Sequence, residues 1–206
     1  MYGDGSVTDK VSNSVSKVAA VIELHVARFS DLDIVTLYAI LRLRCDVFVV
    51  EQACAYSDVD GRDVESGTRH VWLTAVEGVR ATEGVAATDG VGAAEPAPGA
   101  SRRNGAAGEA DVTNTMPGIL AYLRILDDPD GTARIGRVCV ARDARRAGHA
   151  ATLMAAALDL IGNGRDTVLD AQAYATRLYE DAGFVRDGEE FLEDGIMHVP
   201  MRRPAR

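Results

Sequence analysis

Apolar positions along this chain follow two periods. From Val21 to Phe29 apolar and polar residues alternate, which predicts a strand. Ser30 and Asp31 are helix-capping types. After them Ile34, Leu37, Tyr38, Leu41 and Leu43 recur at helical spacing, and the pattern runs on through Val47 and Phe48 to Glu51 and Gln52. Arg69–Val76, Gly118–Leu126 and Ile135–Val140 read as strands. A second helix is predicted from Leu153, Met154, Ala157, Leu158 and Ile161, with Gly162 and Gly164 to stop it. Thr167–Ala173 reads as a buried strand and Arg177–Asp181 as a short helix before Gly183 and Phe184. The chain closes with a hairpin from Glu190 to Arg203 around Asp194 and Gly195. Strands interleaved with helices predict an α/β (α+β) fold.

Two stretches lack either period. Residues 1–19 are polar and Ser-rich and predict a disordered tail. Residues 78–117 are dominated by Gly, Ala and Pro and contain no aromatic residue, Leu or Ile. That composition cannot bury enough apolar surface to offset the entropy of ordering. Three near-copies of a hexad, starting at Gly78, Gly84 and Gly90, are too few for a solenoid. The expected organisation is one domain over residues 20–203, interrupted by a disordered insert at 78–117.

Composition then narrows the classes. The chain has 206 residues, 47% hydrophobic content and a net charge of −9. Acidity argues against nucleic acid as a partner. No apolar run reaches the ~20 residues of a membrane helix, and the N-terminus lacks a secretory core. Three cysteines without paired spacing suit free thiols in a reducing cytoplasm. Cys139 alternates with Val138 and Val140, so its side chain is expected on the opposite sheet face. The histidines are scattered, so no metal site is expected. From Glu51 to Glu65 there are five acids and one base. This segment reads either as a solvated loop or as a loop that draws an ammonium-bearing acceptor; it lacks the ligand spacing of a calcium loop.

The local charge reverses between Arg134 and His149, where five arginines accompany one acid, Asp143. There a predicted strand runs into Arg145, Arg146, Gly148 and Ala150 and then into a helix. Unpaired N–H groups in the first turn of a helix, approached over small residues, suit an anion such as a phosphate. The spacing Arg145-x-x-Gly148-x-Ala150 resembles the coenzyme A pyrophosphate loop of the GNAT acetyltransferases. The ordered set that follows strengthens the likeness: Ala171-Gln172-Ala173, Leu178-Tyr179, Gly183-Phe184 and Asp194-Gly195-Ile196-x-His198. With the stretch Arg44–Gln52, these resemble the ElaA-like branch of that superfamily. A related Arg…Val-Phe…Glu pattern occurs in acyl-homoserine lactone synthases.

The resemblance implies a central mixed twisted sheet, splayed between its fourth and fifth strands and flanked by helices. It also implies acetyl-CoA as co-substrate and a primary amine, cationic on a small molecule or peptide, as acceptor by direct attack on the thioester. Val138 and Val140 would offer backbone groups to pantetheine. Arg145, Arg146, Gly148, His149 and Ala150 would form the pyrophosphate loop. Tyr179 would be the acid that protonates the departing thiolate; its alternative is a core tyrosine. Gln172 would bind substrate or satisfy backbone at the splay. Glu51 would be a base or an acceptor anchor, with His70 and His198 as further candidates for the base. A homodimer is compatible with this reading. Two other classes stay open: a non-catalytic acyl-CoA sensor, and an acyl-homoserine-lactone-type synthase.

Overall fold

The computed structural model describes residues 21–54, 56–76 and 116–206. The readings of residues 1–19 and of nearly all of 78–117 lie outside the described residues. The elements run β1 (Val21–Ala27), α1 (Ile34–Arg44), a π-helical turn (Cys45–Glu51), β2 (Arg69–Val76), β3 (Ile119–Asp127) and β4 (Ala133–Val140). They continue with α2 (His149–Ile161), β5 (Thr167–Gln172), α3 (Thr176–Asp181), β6 (Val185–Arg186), β7 (Phe191–Glu193) and β8 (Ile196–Arg203). The strands form one eight-stranded mixed sheet in the order β1-β2-β3-β4-β5-β8-β6, with β7 paired to β8. Only β4 and β5 are parallel neighbours. No described helix is long and apolar enough to cross a membrane.

Two cores follow from strand alternation. On one face Val71, Leu73, Leu123, Ile125 and Ile135 pack against Leu153, Met154, Ala157 and Ile161 of α2 and Tyr179 of α3. On the other, Trp72, Tyr122 and Cys139 pack against Ala39, Ile40 and Leu43 of α1 and against Val47 and Phe48. Cys139 thus lies opposite Val138 and Val140, which pack toward the α2 side. Burial pushes its thiol up to about 12, so it stays protonated.

Helix α1 starts one turn later than the Ser30–Asp31 pair suggests. Asp33 is its N-cap and accepts from the Val35 and Thr36 amides, both at 2.9 Å. At Cys45 the winding widens, with the Gln52 amide reaching back to the Val47 carbonyl at 3.1 Å. Helical spacing foresaw the run to Glu51 but not its π character. The segment Cys-Asp-Val-Phe-Val-Val is poor in α-helix formers, and tertiary contacts at both ends hold it.

The acidic segment turns inward. Arg44 has no solvent exposure; its guanidinium donates to Asp58 Oδ2 at 2.9 Å, to the Asp58 carbonyl at 2.7 Å and to Asp63 Oδ1 at 2.8 Å. Arg124 of β3 donates to Asp63 at 3.0 Å and to Asp60. Arg137 of β4 reaches Asp58 Oδ1 at 2.7 Å and Asp60 at 3.2 Å, with its guanidinium over the Tyr56 ring. Burial alone would raise the Asp63 carboxyl, but the hydrogen bond from Arg44 and the charges of Arg44 and Arg124 hold it below its ordinary value. Neither reading of this segment survives for Asp58, Asp60 and Asp63. Asp58 and Asp63 are buried, Asp60 keeps some exposure at the cleft, and all three carboxylates are paired with arginines, so none is free to draw an ammonium.

Removing one partner of a buried charge pair leaves the other uncompensated. Arg44→Leu is therefore expected to destabilise the protein by about 3–5 kcal/mol. Urea unfolding of variant and wild type measures this; a loss below about 1 kcal/mol would mean that Asp58 and Asp63 are not left stranded without Arg44.

Candidate active site

Strands β4 and β5 share two rungs, Ala133 opposite Thr167 and Arg134 opposite Val168. Beyond them β4 stays with β3 as far as Val140, while β5 continues beside β8 to Gln172. The two strands part, and β4 peptide groups from Ile135 onward have no ladder partner on the β5 side. A cleft of about 610 Å³ fills the opening. Its walls include Val138, Val140, Arg145, Ala150, Gln172 and Tyr179.

One wall carries a bulge. Tyr122 pairs with Cys139 and Arg124 with Gly136, so Leu123 of β3 faces two residues of β4, Arg137 and Val138. Arg137 takes the left-handed conformation, with φ +57. A non-glycine residue pays for that conformation with strain; here the ion pairs of Arg137 to Asp58 and Asp60 hold it. The inward acidic segment thus shapes the strand edge that borders the cleft.

The loop after β4 curls through two further left-handed residues, Arg146 at φ +65 and Gly148 at φ +84. Gly148 is the N-cap of α2 and provides no side-chain cap. The first intrahelical bond runs from the Thr152 amide to the Gly148 carbonyl at 3.1 Å. The amides of His149, Ala150 and Ala151 precede it and lie open at the positive end of the helix. A Cβ built on Gly148 meets nothing within 4 Å, so an anion has room to approach. The residues of the expected phosphate loop thus fit that group. Ala150 and Arg145 line the cleft, whereas Arg146, Gly148 and His149 lie outside its lining.

Two side-chain bridges cross the cleft from consecutive residues at the end of the π-helical turn. Glu51 receives both Arg145 terminal nitrogens, at 2.6 and 2.8 Å. The hydrogen bond from Arg145 holds the Glu51 carboxyl below its ordinary value. Arg145 also donates to the Val140 carbonyl at 3.2 Å, so its side chain points back into the cleft. Gln52 and Gln172 exchange amide hydrogen bonds at 3.1 and 3.0 Å, and the Tyr174 hydroxyl donates to Gln172. Residue pattern alone missed Gln52 and Tyr174; the π winding that directs Gln52 is the kind of irregularity that marks functional sites.

Tyr179 stands on α3, buried, edge-on to Phe184, and lines the same cleft. Burial raises its phenol above the ordinary value, so it remains a proton donor at neutral pH. His70 is withdrawn from the chemistry. It is buried, with Nε2 donating to the Asp63 carbonyl at 3.1 Å and Nδ1 bonded to the Tyr122 hydroxyl at 2.8 Å. His198 lines the cleft.

A sheet that splays between parallel central strands, over a helix whose first turn is open, defines the GNAT acyltransferases. The family described as an acetyltransferase (GNAT) domain matches residues 113–204. A UPF0039 protein of Mycobacterium tuberculosis is 42% identical over 177 residues, covering 84% of this chain and 88% of that one. An acyl-CoA N-acyltransferase structure from Pseudomonas aeruginosa is similar at TM-score 0.64 and 31% identity, covering 89% of this chain and 99% of that chain. The Escherichia coli ElaA structure is similar at TM-score 0.64 and 29% identity, with the same two coverages. The chain belongs to the ElaA-like, UPF0039 branch of the GNAT acyltransferases.

Three variants test the cofactor side. Gly148→Glu is expected to abolish CoA binding in a folded protein, because it sets a negative side chain at the open amides. Gly148→Ala, which costs about 1–2 kcal/mol of left-handed strain, is expected to retain most of the affinity. Equal calorimetric affinity of Gly148→Glu and wild type would exclude this loop as the phosphate site. Glu51→Gln frees Arg145 for an anion and is expected to tighten CoA binding by up to about fivefold, the range an exposed ion pair supports. Unchanged affinity would show that Arg145 keeps its place in the cleft when CoA binds.

Proposed function

We propose that this acyltransferase carries an acetyl group from acetyl-CoA to a primary amine by direct attack of the amine on the thioester. The observation that carries the reading is the divergence of β4 from β5 next to the uncapped start of α2. β4 backbone groups at Val138 and Val140, which have no β5 ladder partner, suit a pantetheine arm, with the Val140 carbonyl shared with Arg145. The α2 amides and Arg145 suit the pyrophosphate. Bound there, acetyl-CoA would present its thioester in the cleft between the π-helical turn and α3.

Tyr179 is the proposed acid. A thiolate leaves poorly without a proton, and a phenol held protonated by burial supplies one as the C–S bond breaks. Cys139 is not proposed as a nucleophile, since its buried thiol is raised away from ionisation. The acceptor enters from the opposite side, along the β7–β8 hairpin. Glu193 and Asp194 line the cleft there, and among the described residues neither forms an ion pair. These carboxylates, and not the acidic segment before β2, support a cationic acceptor.

Screening CoA release with polyamines, amino acids, aminoglycosides and Lys-containing peptides tests the reading. Tight acetyl-CoA binding without release across the panel would favour a sensor. A lactone product formed from an acyl carrier would favour a homoserine-lactone-type synthase. With any accepted amine, Tyr179→Phe is expected to lower kcat by roughly 10²–10⁴-fold while leaving acetyl-CoA binding and the melting temperature nearly unchanged. A core tyrosine would instead show near-normal turnover and a stability loss of about 1 kcal/mol. Steady-state kinetics beside a thermal melt separates the two.

A further inference from the structure

We infer that His198 is the general base that takes the proton from the attacking amine; this rests on the transferase reading above. All four histidines are described, and only His198 lines the cleft. His25 bonds Thr74 at 2.8 Å and stacks on Trp72, away from the opening. Both His70 nitrogens are committed. His149 sits on the phosphate-loop side, in the first turn of α2.

The state of the His198 ring follows from its partner. Its Nδ1 lies 2.9 Å from the Ile196 carbonyl. A carbonyl only accepts, so Nδ1 carries the hydrogen, and in the neutral ring Nε2 holds the free lone pair. Among the described residues nothing hydrogen-bonds Nε2. Phe191 stacks on the ring at 5.7 Å between centroids and fixes its plane. The imidazole is thus oriented at both the backbone and the ring face, with its basic nitrogen left over.

Its place in the sheet is equally specific. His198 pairs directly with Gln172, the last residue of β5, where the splay is wide. Opposed residues of an antiparallel pair share a face. Ala171 and Val199 alternate with them into the core beneath α2 and α3, so Gln172 and His198 occupy the opposite face. Tyr179 reaches the cleft from the α3 side. Acid and base therefore reach the cleft from opposite faces of the sheet, which keeps the proton acceptor for the arriving nitrogen apart from the proton donor for the departing sulfur.

The titratable groups around His198 fit the role. Asp170 on β5 is paired with Arg134 at 3.0 Å. Glu193 on β7, Asp194 in the hairpin turn, Cys54 and Tyr174 complete that side of the cleft. Burial raises both the Cys54 thiol and the Tyr174 phenol, so both stay protonated and neither competes as a base.

The step balances. The amine nitrogen bonds to the thioester carbonyl carbon, and Nε2 takes the proton that this nitrogen sheds. The C–S bond breaks with its electron pair on sulfur, which takes the Tyr179 proton. One proton passing from imidazolium to phenolate through water restores both groups.

The test uses the full chain and S-bromoacetyl-CoA, which carries an alkylating carbon beside the thioester carbonyl. Calorimetry with CoA first establishes binding to wild type and to His198→Gln. Bromoacetyl-CoA is then expected to alkylate His198, with a C–N bond formed and bromide released, at a rate that rises as the imidazole loses its proton. Peptide mass spectrometry locates the adduct. With an amine accepted in the CoA-release screen, His198→Gln is expected to lose roughly 10²–10⁴-fold in kcat/KM and the ascending limb of its pH profile, with CoA affinity unchanged. CoA binding with the adduct on Cys54 or absent, or a retained ascending limb in His198→Gln, would overturn the base assignment and leave the transferase reading standing. Failure to bind CoA at all would overturn both.

Discussion

Three arginines and three aspartates, drawn from four separate parts of the chain, lock the edge of the cleft. Arg44 comes from α1, Arg124 from β3 and Arg137 from β4, and the loop before β2 supplies Asp58, Asp60 and Asp63. Taking these charges out of water offsets most of their mutual attraction, so the network adds little net stability. What it contributes is direction. A guanidinium accepts few geometries, and its loss strands a carboxylate in the core. The left-handed Arg137 and its bulge hold against their strain because the side chain has fixed partners.

The network sits on the wall of the cleft. β4 leaves β5 after two rungs, at Arg134, and follows β3 through the bulge as far as Val140. Peptide groups that a continuous sheet would pair are left for a ligand, which is costly unless something fills the role. The same turn of chain brings the end of the π-helical segment across the opening. Glu51 and Gln52, adjacent in sequence, tie down the loop before α2 and the end of β5 respectively. A ligand that takes Arg145 must break the first tie, so cofactor binding and the state of Glu51 are coupled through one side chain.

Much of this architecture was legible in residue order. Residue pattern located the strands apart from the two-residue β6, and both longer helices, since each longer element buries a face and the face repeats with its winding. The places of Arg145–Ala150, between β4 and the first turn of α2, and of Tyr179 on a short helix were also legible, because they depend on local spacing. The alternation of Val138, Cys139 and Val140 placed the cysteine on the correct face for the same reason.

Other features depended on where distant segments meet. Five acids in fifteen residues look alike in a sequence, whether they face water, a ligand or an arginine. Only the approach of Arg44, Arg124 and Arg137 decided that three of them turn inward, because a charge is buried only where a partner from elsewhere compensates it. The Glu51–Arg145 pair spans 94 positions and the Gln52–Gln172 pair 120. Likewise, nothing local separates His70 from His198. One lost both nitrogens to neighbours in the core, while the other kept Nε2 free at the mouth of the splay. Periodicity carries the burial of a face; the pairing of polar groups across that face is a property of three-dimensional proximity alone.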